Sequence, residues 1–549
     1  MFVSLSKPRF LEEFARGCEG VAPATRRAAG GGAPSVVIPV AVRLLSDQLT
    51  PVLAYRRLVV EDQRTAPSFL LESVEGGERQ GRHSILGAHP VVEVVAREHR
   101  VRVTDRRGVA WSTAESDERD PLIVPERLTA PLHLHGPVRH PGDGALPECF
   151  LGGWVGFAGY DTVRYAEPGK LGFSSAPKDD RRLPDLHFGF YDEVVIFDHV
   201  DKVVQVVRLV AVPVDAGDAG ASAAYDEACA ALEKTLKALQ THSKPLSAGV
   251  LDVALPQPPG ASNMTREEHR SMLDRAREYI KAGDIFQVVL GQRFERRSAA
   301  DPFDVYRALR AVNPSPYMAY MQCEGCILVA SSPEILCRVR RTPSGGLELT
   351  NRPLAGTRRR GATPDEDKAL ERELLADDKE RAEHIMLVDL GRNDVGIVAR
   401  PGSVALPAIM EVERYSHVMH ISSTVTGELR EGLTCWDALR ACLPVGTISG
   451  APKIRAMQII DELEPHRRGP YGGGLGYAGL NGEMDIALAL RTVVVPTAMA
   501  EPGRWVYHLQ ASGGIVADSR DDAEYMETVN KAAALVRAID VAERAFGAA

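Results

Sequence analysis

Apolar residues follow a two-residue period in the first part of the chain and a helical period afterwards. Between residues 36 and 210, short runs such as 91–103 and 188–207 alternate apolar and polar positions, which predicts β-strands. Residues 222–241 then carry apolar side chains at every fourth position, which predicts an amphipathic helix.

Helices and short strands are mixed in the second half of the chain. Thr265 stands before an acidic first turn and is predicted to cap a helix. Residues 364–388 are predicted to form one strongly charged helix, and 521–546 the last helix. Because each half mixes both element types, we expect an α+β fold rather than a doubly wound sheet.

The 549 residues exceed one ordinary hydrophobic core, so we expect two lobes. Residues 1–35 include an Ala- and Gly-rich stretch and are predicted to be a flexible N-terminal extension. Residues 36–242 form a first region. Residues 243–264, rich in Pro and poor in periodicity, are predicted to be a linker to a second region, 265–549.

Composition narrows the classes of function. A net charge of -9 argues against nucleic acid as the main partner, because phosphate contacts need a basic face. Glu12 and Glu13 interrupt any secretory signal, and the apolar stretch 36–45 is too short to span a membrane. We therefore expect a cytoplasmic protein without a membrane anchor. The isolated Cys323-x-x-Cys326 motif lacks a second ligand pair, which favours a structural role.

Two predicted helices carry the same pair of carboxylates. Glu380 and Glu383 lie three residues apart, and so do Glu524 and Glu527, which places each pair on one helix face, with Lys531 one turn beyond the second pair. Carboxylates and water are the natural ligands of Mg²⁺. Spacing alone nevertheless favours solvated helix faces, because surface glutamates are common.

Glycine-rich turns punctuate the same half at 355–357, 469–474 and 510–514. Such turns let backbone N–H groups approach an anion, although ordinary hairpins use the same residues. Gly472 to Tyr477 imitates a dinucleotide fingerprint, but it lacks the strand–turn–helix setting that the fingerprint needs.

Several segments in order resemble the chorismate-utilising enzyme family. They are Ile285–Gln292, Ser331–Glu334, Pro353–Arg358, Ala382–Asp394, Val418–His420, Gly446–Lys453 and Glu527–Lys531. The first half also resembles the N-terminal region of anthranilate synthase component I, in Phe69–Ser73, Arg82–Gly87 and Gly152–Phe157. The resemblance implies β-sheets packed as a sandwich flanked by helices. It also implies a carbon–oxygen lyase that converts chorismate and ammonia to anthranilate and pyruvate, the first committed step of tryptophan biosynthesis.

The resemblance assigns roles residue by residue. Glu383 and Glu527 match the Mg²⁺ ligands, and Glu380 and Glu524 match partners that act through water. The positions that match chorismate contacts are Gly356, Thr357, Tyr471, Arg491, Ser512, Gly513, Gly514 and Lys531. Ser512 departs from the family's Gly-Ala-Gly turn, so only its backbone N–H can be carried over.

Four positions match catalytic residues. Glu334 matches the acid that protonates the departing C4 hydroxyl, and we expect burial beside the metal-site carboxylates to raise its pKa. His420 is expected to assist elimination of pyruvate, the alternative being a hydrogen-bonded core histidine. Gln287 and Thr357 complete the set.

Two positions at which this chain lacks a lysine found in other family members indicate the nucleophile. Relatives that use water have a lysine where this chain has Gln287, and those that use a covalent lysine have it where this chain has Ala355. Ammonia is therefore the expected nucleophile. We expect no glutaminase elbow in the chain, so ammonia would come from a separate glutamine amidotransferase subunit, and the family implies a heterotetramer.

Two further segments resemble a tryptophan feedback site. Ser73, Pro316, Tyr317 and Met318 match its contacts, although Pro316 to Met318 alone could be a proline-punctuated loop. The alternatives are an aminodeoxyisochorismate synthase that stops before pyruvate loss and, from another class, a non-catalytic tryptophan-binding protein. Feedback motifs argue against the first, and Glu334 and His420 argue against the second.

Overall fold

The computed structural model describes residues 3–21, 34–59, 66–75, 79–107, 111–136, 146–241, 246–250, 257–415 and 418–546. The α-helices within these ranges are α1 (Lys7–Gly20), α2 (Pro51–Leu58), α3 (Ile123–Thr129), α4 (Val163–Ala166), α5 (Gly217–Gln240), α6 (Arg266–Ala282), α7 (Pro302–Val312), α8 (Pro364–Ala376), α9 (Asp378–Val398), α10 (Cys435–Cys442), α11 (Lys453–Leu463) and α12 (Asp521–Phe546).

The strands fall into two groups along the chain. Those before α5 are β1 (Ser35–Leu45), β2 (Ser68–Glu72), β3 (Val74–Glu75), β4 (Arg79–Gln80), β5 (His83–Ala88), β6 (Val92–Arg97), β7 (Arg100–Asp105), β8 (Ser112–Asp117), β9 (Leu132–Leu134), β10 (Gly153–Ala158), β11 (Leu186–Tyr191), β12 (Glu193–Asp198) and β13 (Val203–Pro213). Those after α5 are β14 (Ala261–Ser262), β15 (Gln287–Ser298), β16 (Tyr317–Cys323), β17 (Cys326–Ser332), β18 (Ile335–Arg341), β19 (Leu347–Asn351), β20 (Leu354–Arg359), β21 (Ala405–Arg414), β22 (Val418–Glu428), β23 (Gly450–Ala451), β24 (Gly474–Gly479), β25 (Met484–Leu488), β26 (Thr492–Pro496) and β27 (Trp505–Ile515).

Nearly all described strands belong to one of two large sheets. The first sheet has the order β14-β15-β27-β26-β17-β16-β2-β5-β12-β13-β1-β9, with β23 also paired to β15. The second sheet has the order β20-β22-β19-β18-β25-β24-β10-β11-β6-β7-β8, with β21 also paired to β22. β3 and β4 form a separate small ladder.

The two sheets face each other across an apolar layer that includes Phe69, Val155, Phe157, Leu475 and Val494. Helices α1, α2, α5, α7 and α12 pack on the first sheet, and α9 and α10 pack on the second. Buried apolar surface on both faces of each sheet accounts for the near-continuous apolar runs in the central strands. The predicted α+β sandwich flanked by helices is confirmed.

Both sheets join the two halves of the chain. β2 pairs with β16 in the first sheet, and β10 pairs with β24 in the second. The predicted linker therefore marks a break along the chain rather than a division between separate sheets. Sequence periodicity identifies strands but not their partners, because pairing is decided by side-chain packing across the sheet.

The N-terminal segment contains an ordered helix. Phe10 and Phe14 of α1 are buried, and the Phe10 ring lies 5.2 Å from that of Tyr225 on α5. The prediction of a flexible extension over residues 1–35 is wrong for this helix, because its apolar face closes the core over the first sheet. Residues 22–33 of that extension lie outside the described residues.

Helix boundaries were predicted well with one exception. Thr265 forms a reciprocal capping box with Glu268, and α12 has the predicted limits. The predicted single helix over 364–388 is instead α8 and α9, separated at Asp377. The Asp377 carboxylate accepts hydrogen bonds from the first-turn N–H groups of Lys379 and Glu380 and so begins a new helix.

Two smaller predictions concern cysteines and membranes. Cys323 and Cys326 lie opposite each other in the hairpin of β16 and β17, and burial raises the pKa of both thiols, which agrees with a structural role. None of the described helices combines the length and the apolarity that a membrane crossing needs.

Candidate active site

Three carboxylates meet around the glycine turn at the end of β27. A Cβ atom placed on Gly513 would lie 3.2 Å from Glu524 Oε2 and 3.6 Å from Glu527 Oε1. A Cβ atom on Gly514 would lie 3.5 Å from Glu383 Oε1. Helices α9 and α12 therefore bring carboxylates that are far apart in sequence to two adjacent backbone positions.

Glu380 joins this group from the side of β20. A Cβ atom on Gly356 would lie 3.2 Å from Glu380 Oε2, and Gly356 has a φ of +63°, which favours glycine. Arg358 donates to Glu380 Oε1 at 3.3 Å. We call Glu380, Glu383, Glu524 and Glu527 the carboxylate cluster.

Few cations balance the carboxylate cluster. Arg358 pairs with Glu380, and Lys531 Nζ pairs with Glu527 Oε1 at 2.7 Å while donating to the Ser512 carbonyl at 2.9 Å. Burial raises the pKa of Glu383, and the charges of Glu380 and Glu527 add to the rise. Burial likewise raises the pKa of Glu524, with a further contribution from Glu527.

The donor set fits a hydrated divalent cation. The described residues contain no group of three or more candidate side chains close enough to enclose a metal. Mg²⁺ retains several waters and needs only one or two protein carboxylates. The buried Glu524 Oε2, which has no hydrogen-bond partner among the described residues, and the raised pKa of Glu383 are both features that a cation would relieve. Glu524 is only 8% exposed, so it is not part of a solvated helix face.

His420 lies beside the same glycine turn on β22. Its Nδ1 is 2.8 Å from the Gly356 carbonyl and 3.1 Å from Thr357 Oγ1, so the carbonyl fixes a proton on Nδ1. Burial, followed by the charge of Arg491, lowers the pKa of His420 to about 4. The ring is therefore neutral near pH 7, with a free lone pair on Nε2, which is buried and has no partner among the described residues.

Glu334 shows the opposite shift. It is 2% exposed, and burial raises its pKa to about 8. The Thr447 hydroxyl donates to Oε1 at 2.8 Å, and this hydrogen bond lowers the pKa without cancelling the effect of burial. No other carboxylate contributes to the rise, so the expected cause is half correct: burial suffices without the carboxylate cluster. The group is protonated near neutral pH and can donate a proton.

Arg491 provides an anion-binding group. Its guanidinium has no hydrogen bond or ion pair among the described residues, and burial lowers its pKa. Its φ of +45° is unusual for a residue with a Cβ and indicates a position held by its surroundings. A half-buried guanidinium without an ionic partner among the described residues is suited to bind a carboxylate in a bidentate way.

Ser512 is accommodated away from the glycine turn. Its hydroxyl accepts a hydrogen bond from Tyr471 at 3.0 Å, and a Cβ atom at Gly291 on the neighbouring strand would collide with it. The extra side chain therefore fills space inside the first sheet. The backbone N–H groups of Gly513 and Gly514 keep the approach that glycine gives them.

The four residues predicted to contact tryptophan line one cavity of about 650 Å³, separate from the carboxylate cluster. These residues are Ser73, Pro316, Tyr317 and Met318. Tyr317 donates to Asp485 at 3.0 Å and accepts from Arg338 at 2.7 Å. Sequence reasoning missed Arg338 and Asp485, since they come from β18 and β25, which no local pattern connects.

A second, smaller cavity of about 60 Å³ lies between the two sites. It shares Pro316, Tyr317 and Arg338 with the larger cavity, and it reaches Tyr415, whose ring lies 5.6 Å from that of His420.

Comparison with known proteins identifies the family. The chorismate binding enzyme family matches residues 67–537. The chain is 54% identical to anthranilate synthase alpha subunit 1, chloroplastic, of Oryza sativa subsp. indica, over 94% of this chain and 90% of the relative. It is 41% identical to anthranilate synthase component 1 of Acetivibrio thermocellus, over 92% and 96%.

Solved structures of chorismate-utilising enzymes have the same fold as this chain. The crystal structure of anthranilate synthase component I from Streptococcus pneumoniae superimposes with a TM-score of 0.67 at 35% identity, covering 90% of this chain and 99% of that one. The menaquinone-specific isochorismate synthase from Escherichia coli has a TM-score of 0.63 at 17% identity, covering 96% and 100%, and shares the fold.

Proposed function

Because the chain belongs to the chorismate binding enzyme family, and within it to the anthranilate synthase component I group, we propose that it converts chorismate and ammonia to anthranilate and pyruvate, with Mg²⁺ as cofactor. The observation that carries this proposal is the pair of opposite pKa shifts at Glu334 and His420. One site thus holds a neutral acid and a neutral base at the same pH.

The first step replaces the C4 hydroxyl of chorismate with an amino group at C2. The nitrogen lone pair of ammonia forms a bond to C2, both ring double bonds shift by one position, and the C4–O bond breaks. The ammonium group formed at C2 then releases one proton to solvent. Glu334 gives its proton to the departing oxygen, which leaves as water. Arg491 binds one substrate carboxylate, and the N–H groups of Gly513 and Gly514 approach the other.

The second step removes pyruvate. His420 Nε2 takes the hydrogen on C2 as a proton, the C–H electron pair completes the aromatic ring, and the C3–O bond breaks. The released enolpyruvyl group gains a proton on its methylene carbon and becomes pyruvate. Nδ1–H stays on the Gly356 carbonyl and holds the ring in the tautomer that this step needs.

Glu383 and Glu527 would hold Mg²⁺ directly, with Glu380 and Glu524 acting through water. When bound, the ion neutralises the ring carboxylate and polarises the ring toward attack. Removing either ligand should weaken Mg²⁺ binding measured by calorimetry, and Glu278→Ala, an exposed glutamate on α6, is the control. Unchanged Mg²⁺ affinity in Glu383→Ala and Glu527→Ala would refute the assignment.

A direct assay tests the reaction. The purified chain is incubated with chorismate, Mg²⁺ and an ammonium salt, and anthranilate fluorescence is followed. Anthranilate and pyruvate should form in equal amounts. Accumulation of aminodeoxyisochorismate without anthranilate would instead support the shorter reaction, and no turnover at all would support a binding protein.

The source of ammonia and the regulation belong to the same proposal. The relatives are called "component 1" and "alpha subunit", which supports a second subunit; we propose that this subunit is a glutamine amidotransferase in a heterotetramer. The cavity lined by Ser73 and Pro316 to Met318 supports tryptophan as a feedback inhibitor. In this proposal the enzyme works in the cytoplasm.

A further inference from the structure

Asp394 and Lys453 form an ion pair away from the carboxylate cluster. Asp394, on α9, is 0% exposed, and Lys453 is the first residue of α11. The Lys453 Nζ atom lies 2.6 Å from Asp394 Oδ1 and is the only cation paired with this carboxylate among the described residues. Burial raises the pKa of Asp394 to about 6, so the carboxylate is charged at neutral pH. Each residue ends a segment that resembles the family, but the proposed reaction uses neither.

The Lys453 ammonium also holds the backbone that precedes it. We call residues 444–452, which lie between α10 and α11, the connecting segment. Lys453 Nζ donates to the Pro444 carbonyl at 3.0 Å and so ties the first residue of this segment to the residue that follows its end. Removing two charges from water is costly, and the second hydrogen bond gives the buried ammonium a role in placing this backbone.

The later part of the connecting segment is held by β15. The Val289 N–H donates to the Ser449 carbonyl at 2.9 Å, and Ala451 pairs with Gln287. Gln287 is 2% exposed, and its amide donates to Glu383 Oε1 at 3.2 Å. These bonds fix the later part beside the carboxylate cluster, whereas Lys453 fixes the beginning of the segment.

The early part of the connecting segment carries the hydroxyl that contacts the proposed acid. Thr447 donates to Glu334 Oε1 at 2.8 Å, and this hydrogen bond lowers the pKa of Glu334. One residue earlier, a Cβ atom on Gly446 would collide with Leu390 of α9. The early part therefore lies directly against the helix that carries Asp394, so the ion pair and the Thr447 hydroxyl belong to one packed unit.

We propose that Lys453 is a positioning residue: anchored by Asp394, it holds the connecting segment so that Thr447 keeps its hydrogen bond to Glu334. Lys453 acts through position and not through its charge. The lysine whose charge lowers the pKa of Glu334 is Lys531, and Lys453 is not among the groups that shift it. Loss of the ion pair should therefore reach Glu334 only through Thr447.

This inference rests on the proposed function, and the dependence of kcat on pH separates the two. Wild type, the double variant Asp394→Leu/Lys453→Met and the control Arg455→Gln are assayed with chorismate, Mg²⁺ and ammonia saturating at each pH. Apolar residues of similar size often replace a buried ion pair without loss of stability, so the double variant should fold. Arg455, two residues along α11, pairs with Asp284, which lies outside the connecting segment.

The double variant should change the acid and not the binding of substrate. Loss of the Thr447 hydrogen bond removes an interaction that favours ionised Glu334, so the pH above which kcat falls should rise by about one unit. The maximal kcat should fall about tenfold, because the proton donor is no longer held in place, while the KM for chorismate stays within about twofold. Arg455→Gln should keep the profile of wild type.

The other outcomes overturn the inference. A lower Tm with an unchanged pH profile would mean that the pair only stabilises the fold, and a KM for chorismate that rises as much as kcat falls would place the effect in binding. If the double variant fails to fold, Lys453→Met decides, because without the ammonium the buried Asp394 should take up a proton and leave no charge.

In Lys453→Met the same upward shift of the pH profile supports the inference, and the profile of wild type overturns it. Either result leaves the proposed function intact, because wild type still makes anthranilate. A wild-type chain that makes no anthranilate removes the proposed function, and the inference with it.

Discussion

At the level of single residues, burial disfavours the charged form of both Glu334 and His420 and so gives them complementary roles as acid and base. It disfavours the charged form of each, so Glu334 keeps its proton and His420 lacks one. Among the residues that the structure describes, neither group has an ionic partner that reverses the effect of burial on its pKa. An acid and a base of this kind would neutralise each other in water, where their ordinary pKa values lie in the opposite order.

Glu334→Gln should separate catalysis from stability. The amide cannot donate a proton to the leaving hydroxyl, so kcat should fall by about 10²-fold or more. In wild type the folded chain keeps the Glu334 proton between the unfolded pKa of 4.5 and the folded pKa of about 8, so stability falls as pH rises through this window. The variant lacks this loss, so its Tm relative to wild type should rise from pH 5 to pH 8. A Tm difference that is constant over that range would contradict the assigned pKa.

His420→Asn should block the second step more than the first. The Asn amide can still donate to the Gly356 carbonyl, but it offers no basic nitrogen to remove the C2 proton. Aminodeoxyisochorismate should accumulate, and its amount relative to anthranilate can be measured by liquid chromatography. Glu334→Gln serves as the comparison, since it should reduce both products together. Normal anthranilate formation in His420→Asn would show that another group takes the proton.

At the scale of elements, the junction between α8 and α9 positions two members of the carboxylate cluster, Glu380 and Glu383. Asp377 caps α9, and Arg358 on β20 ties this junction together by donating to Glu373 and Asp377 at 2.8 Å and to Glu380 at 3.3 Å. A continuous helix over 364–388 would lack this arrangement, because the cap would disappear. The helix break thus fixes where α9 begins and, with it, where Glu380 and Glu383 lie.

Arg358→Gln should loosen this junction and weaken Mg²⁺ binding roughly tenfold, as expected for a residue that orients a metal site from outside. Calorimetric titration with Mg²⁺ measures the change independently of activity. Arg359→Gln is the matched control, because that neighbouring arginine is exposed and pairs with Glu366 instead. Equal Mg²⁺ affinity in both variants would mean that Arg358 has no role in positioning the carboxylate cluster.

At the scale of the whole molecule, the larger cavity is lined by residues from both halves of the chain, whereas the residues of the candidate active site all belong to the second half. Ser73 directly follows β2, and Pro316 to Met318 lie at the start of β16. Their cavity shares residues with the smaller one that reaches Tyr415, whose ring lies beside that of His420. A ligand that shifts Tyr317 or Arg338 therefore acts on a surface that both cavities share. We expect inhibition to arise from a change in how these strands pack.

Ser73→Ala should weaken tryptophan inhibition, raising the half-inhibitory concentration roughly fivefold, with little change in kcat, because the hydroxyl lines the larger cavity only. The comparison is Ser68→Ala at the start of β2, the strand that Ser73 follows; the Ser68 hydroxyl forms a hydrogen bond with Tyr55 and does not line that cavity. Inhibition curves at fixed chorismate measure both. If Ser73→Ala and Ser68→Ala both had the half-inhibitory tryptophan concentration of wild type, Ser73 would not belong to the tryptophan site.

The fold was predictable in part. Local periodicity predicted α5 and α12, and side-chain capping predicted α6, because both signals lie within one element. The capping residue Asp377 is an equally local signal, but the apolar and charged pattern continues through it and therefore predicts one helix where the structure has α8 and α9. The order of strands in the sheets was out of reach, since β10 and β24 are separated by hundreds of residues and pair through packing.

The family and the candidate residues of the site can be predicted from the sequence alone, because ordered motifs specify which side chains are present. The motifs specify Glu334, His420, Gln287 and the four glutamates without any knowledge of contacts. Their protonation and the atoms left without hydrogen-bond partners follow from the three-dimensional packing. Whether a carboxyl keeps its proton, an imidazole loses it or a carboxylate oxygen lacks a donor depends on burial and on neighbours from distant segments, which a linear pattern does not contain.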